Sequence, residues 1–349
     1  MRALPRWADL LLLPVLNVVL ALVVTAVLVR VAGFDPVVAL RALAVGSLGS
    51  ADAVGYTLFY ATNMAFTGLA VAVAFQAGLF NIGAEGQAYL AGLGAALVAL
   101  HGGGLPHWAL APLAIGGAAL FGAGWAAAPG WLQAYRGSHV VITTIMFNFL
   151  AASLMVFLLV NVLIAPGSMS PETARFPPEA LLPRLAPGSA PVNGALLLAL
   201  AAALGVWLLL WRTPWGYGLR VLGGSAHVAR YAGVDARRVT VMAMALSGAL
   251  AGGVAVNELL GAQGRLLLGF TGGYGFSGIA VALMGRNHPV GVLLAALLFG
   301  ALTQGGAELA FEMPGMPAEV VVLVQGLVIL FAGALGNMLR RPLARVLGG

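Results

Sequence analysis

The sequence contains no cysteine and no lysine. Without cysteine there is no disulfide, no thiolate chemistry and no Cys-ligated metal. Without lysine there is no Walker A loop, which ends in Gly-Lys-Ser/Thr, so if ATP drives this chain another polypeptide binds the nucleotide. Charge of either sign is scarce. Asp, Glu, Lys and Arg make up 8% of the 349 residues and hydrophobic residues 61%, and mean hydropathy is +1.00. That is far more apolar sequence than a soluble core requires, and it predicts an all-α polytopic membrane protein. All 17 basic side chains are therefore arginine, and 11 acids leave a formal charge of +6. We read that excess as loops facing anionic lipid, with no nucleic-acid partner. The five histidines (101, 107, 139, 227 and 288) show no metal-ligand spacing, and no nucleophile–base pair is apparent, so neither a metal, a cofactor nor an enzymatic activity is expected.

Ten apolar segments are candidates for the membrane, at 10–29, 56–75, 88–100, 108–128, 140–164, 194–211, 239–261, 276–284, 290–310 and 320–335. The first has the ~20 residues needed to span hydrocarbon and is read as a retained helix, because it is long for a signal peptide and lacks a small-x-small cleavage site. The segment at 276–284 is too short to span as drawn, so it is either a tilted half-helix or joined to the residues before it. Residues 35–50 are moderately amphipathic, with Pro36 suited to a first helical turn, and are expected along the outer surface. Counting from a cytoplasmic N-terminus puts 131–138, 212–238, 286–289 and the tail at 340–349 inside. Twelve of the 17 arginines then fall inside, as the positive-inside rule demands. The proline-rich stretch at 165–193 is the long extracytoplasmic loop, and the whole of 1–349 reads as one transmembrane domain.

Four stretches carry more than hydropathy. In 219–238, Ser225 is placed to cap a short basic helix over 226–232, and Gly233 to end it in a left-handed conformation. Such a loop also serves simply to fix orientation. In 78–87, three glycines and the polar Asn81, Glu85 and Gln87 interrupt apolar sequence. A glutamate at a helix break in a membrane is a functional hypothesis by default. The plainer alternative is a turn in which Asn81 caps the next helix and Glu85 offsets its dipole. In 135–148, Thr143, Thr144 and Asn148 are able to face inward, and Thr144 and Asn148 share a helical face, which suits hydrogen bonds between helices or contact with a solute. The stretch 269–289 holds a formal G-x-G-x-x-G at Gly273, Gly275 and Gly278. No βαβ pattern surrounds it, so dinucleotide binding is rejected in favour of close helix approach or a broken helix. Glu258 and Glu308 lie near expected outer helix ends, where snorkelling to water is open to them.

These same stretches carry a resemblance. Gly223 followed by Ala-Arg-Tyr-Ala-Gly-Val at 229–234 resembles the cytoplasmic coupling loop of permease subunits of ABC importers, in the branch that carries simple sugars and nucleosides. Ser225-Ala226 depart from the Asn-Pro common there. Phe-Asn-Ile-Gly-x-Glu-Gly-Gln at 80–87 is similar to a recurring string of that family, and 135–148 and 269–289 resemble further segments of it, although Val140 stands where the family often has glutamate. The resemblance implies a cytoplasmic coupling helix, with Gly223, Arg230, Tyr231, Ala232 and Gly233 forming the surface that docks on a separate ATPase subunit. It also implies a second permease subunit, an extracytoplasmic solute-binding protein and a place in a bacterial-type inner membrane, where the arginine asymmetry puts both termini on the cytoplasmic side.

Two function classes compete on these residues. One is the permease of an ATP-driven importer; the other is a stand-alone proton-coupled secondary transporter using Glu85 with Glu258 or Glu308. The shaped loop at 219–238 favours the importer, since a secondary transporter has no use for it. Walls with few fixed charges suit a neutral polar solute. Resemblance points to a nucleoside, with ribose- or galactose-type sugars as the alternative. Asn63, Asn81, Glu85, Gln87 and Asn148 are the pathway candidates, because they are polar and sit where helices break or face inward.

Overall fold

The structure is a computed structural model that describes residues 12–31, 33–186 and 188–312, with isolated positions between 322 and 330. The expected helix at 320–335, the tail at 340–349, and Arg2 and Arg6 lie outside the described residues or almost wholly so. The described chain is helical, and among these residues only two isolated bridges, Glu172 with Leu267 and Arg184 with Asn193, have strand-like pairing. In order the helices are α1 (Leu13–Val31), α2 (Pro36–Leu48), α3 (Ala51–Gln76), α4 (Ala84–His101), α5 (His107–Arg136), α6 (Val140–Asn161), α7 (Ala195–Arg212), α8 (Pro214–Gly224), α9 (Ala226–Tyr231), α10 (Ala236–Ala251), α11 (Gly253–Ala255), α12 (Tyr274–Met284) and α13 (Pro289–Glu312). After α11 the helix widens into a π segment, Val256–Gln263.

Local chemistry explains where these helices begin and stop. Asp35 caps α2, its Oδ1 accepting from Val37 N at 2.8 Å and Val38 N at 3.4 Å, with Pro36 in the first turn. Asp235 caps α10 by the same device. Gly137, at φ 70°, closes α5 in the left-handed region.

Contacts divide the chain into two compact units. One draws on the chain up to Thr57 and from Phe299 onward, and the other comprises Leu58–Leu298. The first has its own small core of Val29, Ala39, Ala42, Leu43 and Leu309. Within the second, burial separates inner from outer helices. Among the described residues of the whole chain, six helical runs are long and apolar enough to cross a membrane; the apolar window of α3 is 83% buried, whereas those of α6 and α7 are 22% and 28% buried. Helix α3 is thus enclosed by protein, and α6 and α7 present apolar surface outward, as lipid-facing helices do. The second unit closes up through small residues. On α5 and α10, Gly122 and Gly248 lie so close that a methyl group on either would meet the other's carbonyl.

Four expectations change. Helix α5 continues through most of 131–138, which reads as a loop by hydropathy, because no glycine stops it before Gly137. The region after α7 contains not one short helix but two. Helix α8 is started by Thr213, whose Oγ1 accepts from Gly216 N at 3.1 Å, with Pro214 next to it. Gly83, and not Asn81, is the N-cap of α4. Glu258 does not snorkel: it is only 4% exposed. The short expected segment does appear as a half-helix, since 11 residues in α12 make about 16 Å of a ~30 Å core.

Candidate functional site

The turn between α3 and α4 has backbone groups with no helical partner, and side chains of Asn81 in the turn itself and of Thr144 and Asn148 on α6 satisfy them. Asn81 and Gln87 exchange amide hydrogen bonds at 3.0 and 3.1 Å. Asn81 Oδ1 also accepts from Gly83 N at 2.8 Å, and Asn81 Nδ2 donates to Ser247 Oγ of α10 at 2.8 Å. Ser247 in turn donates to Ala70 O of α3 at 2.7 Å. From α6, Asn148 accepts from Gly86 N and donates to Ile82 O, both at 2.9 Å. The string at 80–87 is therefore a knot that ties α3, α4, α6 and α10 together.

Glu85, in the first turn of α4, does not face that knot. Its Oε1 accepts from Thr271 Oγ1 at 2.6 Å and Gly273 N at 3.0 Å, and its Oε2 from Gly275 N at 2.8 Å. The carboxylate caps the N-terminus of the half-helix α12, where free N–H groups and the helix dipole favour negative charge. Gly273, at φ 79°, gives the backbone the left-handed turn that starts α12.

A second polar chain crosses the unit at the π segment. Asn193 Nδ2 donates to Asn257 Oδ1 at 3.0 Å, Asn257 Nδ2 to Asn63 Oδ1 at 2.9 Å, and Asn63 Nδ2 to Glu258 Oε1 at 2.6 Å. Glu258 also bonds Gln263 and Tyr274, and Tyr274 reaches Asn63. The π turn brings Asn257 and Glu258 side by side toward α3; such segments often mark functional sites. The loop at 165–193 lies against the end of this segment. Phe176 N donates to Gly264 O at 2.7 Å, Leu182 N to Leu260 O at 2.8 Å and Thr173 N to Leu266 O at 3.1 Å. Arg265 Nη1 pairs with Glu172 Oε1 at 2.6 Å.

At the other end of α7, Ser225 Oγ accepts from Val228 N at 3.4 Å to cap α9, and Gly233 follows at φ 73°. Ala229 is buried beneath the helix, whereas Tyr231 is 82% exposed and Arg230 and Ala232 are exposed beside it. His227 and Tyr231 meet edge to face at 4.9 Å. Gly223 packs directly on the backbone of Gln76 and Gly78, where a side chain would not fit. An open cavity of about 430 Å³, lined by Gly78, Gln133, Leu222, Ser225, Arg237 and Thr240 among others, lies beside it.

The structure brings Asn81, Gln87 and Asn148 into one cluster, places Asn63 in the second chain and points Glu85 at α12. Arg230, Tyr231, Ala232 and Gly233 share the exposed turn of α9, while Gly223 serves the fit of α8 against α3. Asn193, Asn257, Glu258 and Tyr274 escape sequence reasoning as a group; their only signal is the density of polar side chains between Asn257 and Gln263. Residues 53–333 match the family described as branched-chain amino acid transport system / permease component. Over 329 aligned residues the chain is 38% identical to the glucose ABC transporter permease protein of Haloferax volcanii, covering 91% of this chain and 86% of that one. It is 36% identical to the guanosine ABC transporter permease protein of Bacillus subtilis, with 93% of each chain covered. It is 31% identical to the nucleoside ABC transporter permease protein of Lactococcus lactis, covering 92% and 90%.

Proposed function

The chain belongs to the branched-chain amino acid transport system permease family, as an ABC transporter permease, and on that premise we propose that it carries a nucleoside into the cytoplasm. It does so with a separate ATPase docked on α9, a second permease subunit and an extracytoplasmic solute-binding protein, in the cytoplasmic membrane with both termini inside. The observation that carries the solute class is the buried chain Asn193–Asn257–Asn63–Glu258–Tyr274. Amides, a carboxylate and a phenol supply both donors and acceptors, which is what the vicinal hydroxyls of a ribose need. Polar groups inside a membrane protein are expensive, and their concentration at one level supports reading it as the solute path. Of the other pathway candidates, Asn81, Gln87 and Asn148 hold the helices that line this path, and Glu85 holds α12. With three donors on its carboxylate, Glu85 is an anchor, which leaves proton-coupled transport without support.

The names of these three relatives divide between nucleosides and glucose. Both solutes present ring hydroxyls, and we favour the nucleoside because guanosine and nucleoside permeases match over almost their full length. Proteoliposomes containing the permease, its ATPase and its receptor should take up labelled nucleoside, and excess purine or pyrimidine nucleoside should compete. Asn63→Ala should raise the KM about tenfold, the worth of roughly one lost buried hydrogen-bonded group. Robust uptake of a free pentose or hexose, undisturbed by excess nucleoside, would make this a sugar permease instead.

A further inference from the structure

A π-helix is rare and usually limited to a single turn, so the eight residues of Val256–Gln263 call for something that holds them in that register. Two sets of contacts do so. The first is internal to the segment. Glu258 bonds Gln263, five positions on, and the i→i+5 spacing of a π-helix stacks such a pair. In an α-helix five residues turn through about 500° and leave the two side chains about 140° apart, so this bond belongs to the wider register.

The second set comes from the loop after α6. The last carbonyls of a helix lack N–H partners, and here the loop supplies them. Leu182 N donates to Leu260 O at 2.8 Å and Phe176 N to Gly264 O at 2.7 Å. Just beyond, Thr173 N donates to Leu266 O at 3.1 Å and Leu266 N returns a bond to Thr173 Oγ1 at 3.0 Å. Glu172 pairs in the antiparallel sense with Leu267, and its carboxylate meets Arg265 at 2.6 Å. At the other end of the loop, Asn193 reaches Asn257 across Gly261, where a β-carbon would fall on the Asn193 side chain.

We infer that this loop is a latch: held down, it keeps Val256–Gln263 in π register and the polar chain closed, and when a solute-binding protein lifts it the segment relaxes to α spacing. Glu258 then parts from Gln263. Taking the polar chain as the solute path, the freed carboxylate keeps lone pairs with which to accept from a solute hydroxyl. Arg175 is exposed immediately beside Phe176, whose N–H caps the segment. A protein docking on the loop therefore pulls on the same stretch that holds the π end.

The lack of native thiols makes the latch lockable. Residues opposite one another in an antiparallel pair stand about 4.5–5.5 Å apart at Cα, within the range a disulfide spans, so Glu172→Cys combined with Leu267→Cys should cross-link on oxidation. In proteoliposomes with the ATPase and receptor, once thiol titration confirms the bond, uptake and receptor-stimulated ATP hydrolysis should both fall. Reductant should restore both in the same sample, which a folding defect would not allow. Glu172→Gln, which weakens only the ion pair, should raise receptor-free ATP hydrolysis by about fivefold, the scale of a partly exposed pair. Gln263→Leu should raise it too, and Leu267→Cys alone should change neither rate. Full uptake by the cross-linked transporter would overturn the latch, and no rise in Gln263→Leu would overturn the register change. The solute path is judged separately, through KM. An Asn63→Ala variant with unaltered KM whose activity, in the double-cysteine background, still stops on oxidation would refute the path and keep the latch; a raised KM with no effect of oxidation would do the reverse.

Discussion

A carboxylate sealed among helices is held in place only by the donors that face it, and Glu85 has three. Replacing it with glutamine removes the charge and turns one acceptor into a donor, which then opposes a backbone N–H of α12. Glu85→Gln should therefore destabilise the protein by about 2 kcal/mol, the scale of a hydrogen bond to a charged group. The purified permease should melt several degrees lower, whereas Thr271→Val, which removes one donor and leaves the charge, should do less. Equal melting of Glu85→Gln and unmodified protein would show that the carboxylate does not anchor α12. At this scale the sequence was half legible. Glu85 and Asn81 stand out because glycines and polar groups interrupt an apolar run, and Thr144 and Asn148 because their spacing puts them on one face. The pairings across the fold did not stand out. Asn63 was a pathway candidate, but its partner Asn257 lies 194 residues away, and an asparagine in an apolar helix carries no mark of which helix it will meet.

Among the elements, hydropathy located the spans and missed what happens between them. Pattern reading found α9 because Ser225 and Gly233 bracket it, and from the short apolar run it left α12 either a half-helix or a continuation of the residues before it. It missed α8, whose four glycines at 216, 218, 223 and 224 look like a loop until Gly223 is seen packed on the α3 turn. It also missed the π segment, since a one-residue widening leaves no trace in composition. The boundary at Gly233 can be tested cleanly. A β-carbon there would meet nothing within 4 Å, yet the backbone sits at φ 73°, so any penalty comes from conformation alone. Gly233→Val should strain the turn by roughly 1–2 kcal/mol and tilt α9, while Gly233→Asn should be tolerated. In the assembled transporter, uptake and solute-stimulated ATP hydrolysis should fall together in the valine variant with membrane insertion intact. Normal ATP-driven uptake with this turn disrupted would remove the coupling role from α9.

For the whole molecule the open quantity is which end faces the cytoplasm, and the missing cysteines make it directly measurable. The loop at 165–193 and the α8–α9 region are joined by α7, one apolar helix of 18 residues, so they lie on opposite sides of the membrane. The arginines support the orientation proposed above. Arg212, Arg220, Arg230, Arg237 and Arg238 crowd the α8–α9 end, and positive charge of that density near span ends is retained on the cytoplasmic side. Single cysteines report this without background, because the chain has no native thiol. Met169 is fully exposed in the long loop, and Arg230 is exposed on α9. Met169→Cys should react with a membrane-impermeant maleimide in intact cells, and Arg230→Cys only after permeabilisation. The reverse pattern would put α9 outside, beyond the reach of any cytoplasmic ATPase, and would overturn the importer reading together with the orientation. The expected pattern leaves α9 facing the compartment that holds ATP and the long loop facing the compartment from which a receptor delivers its solute.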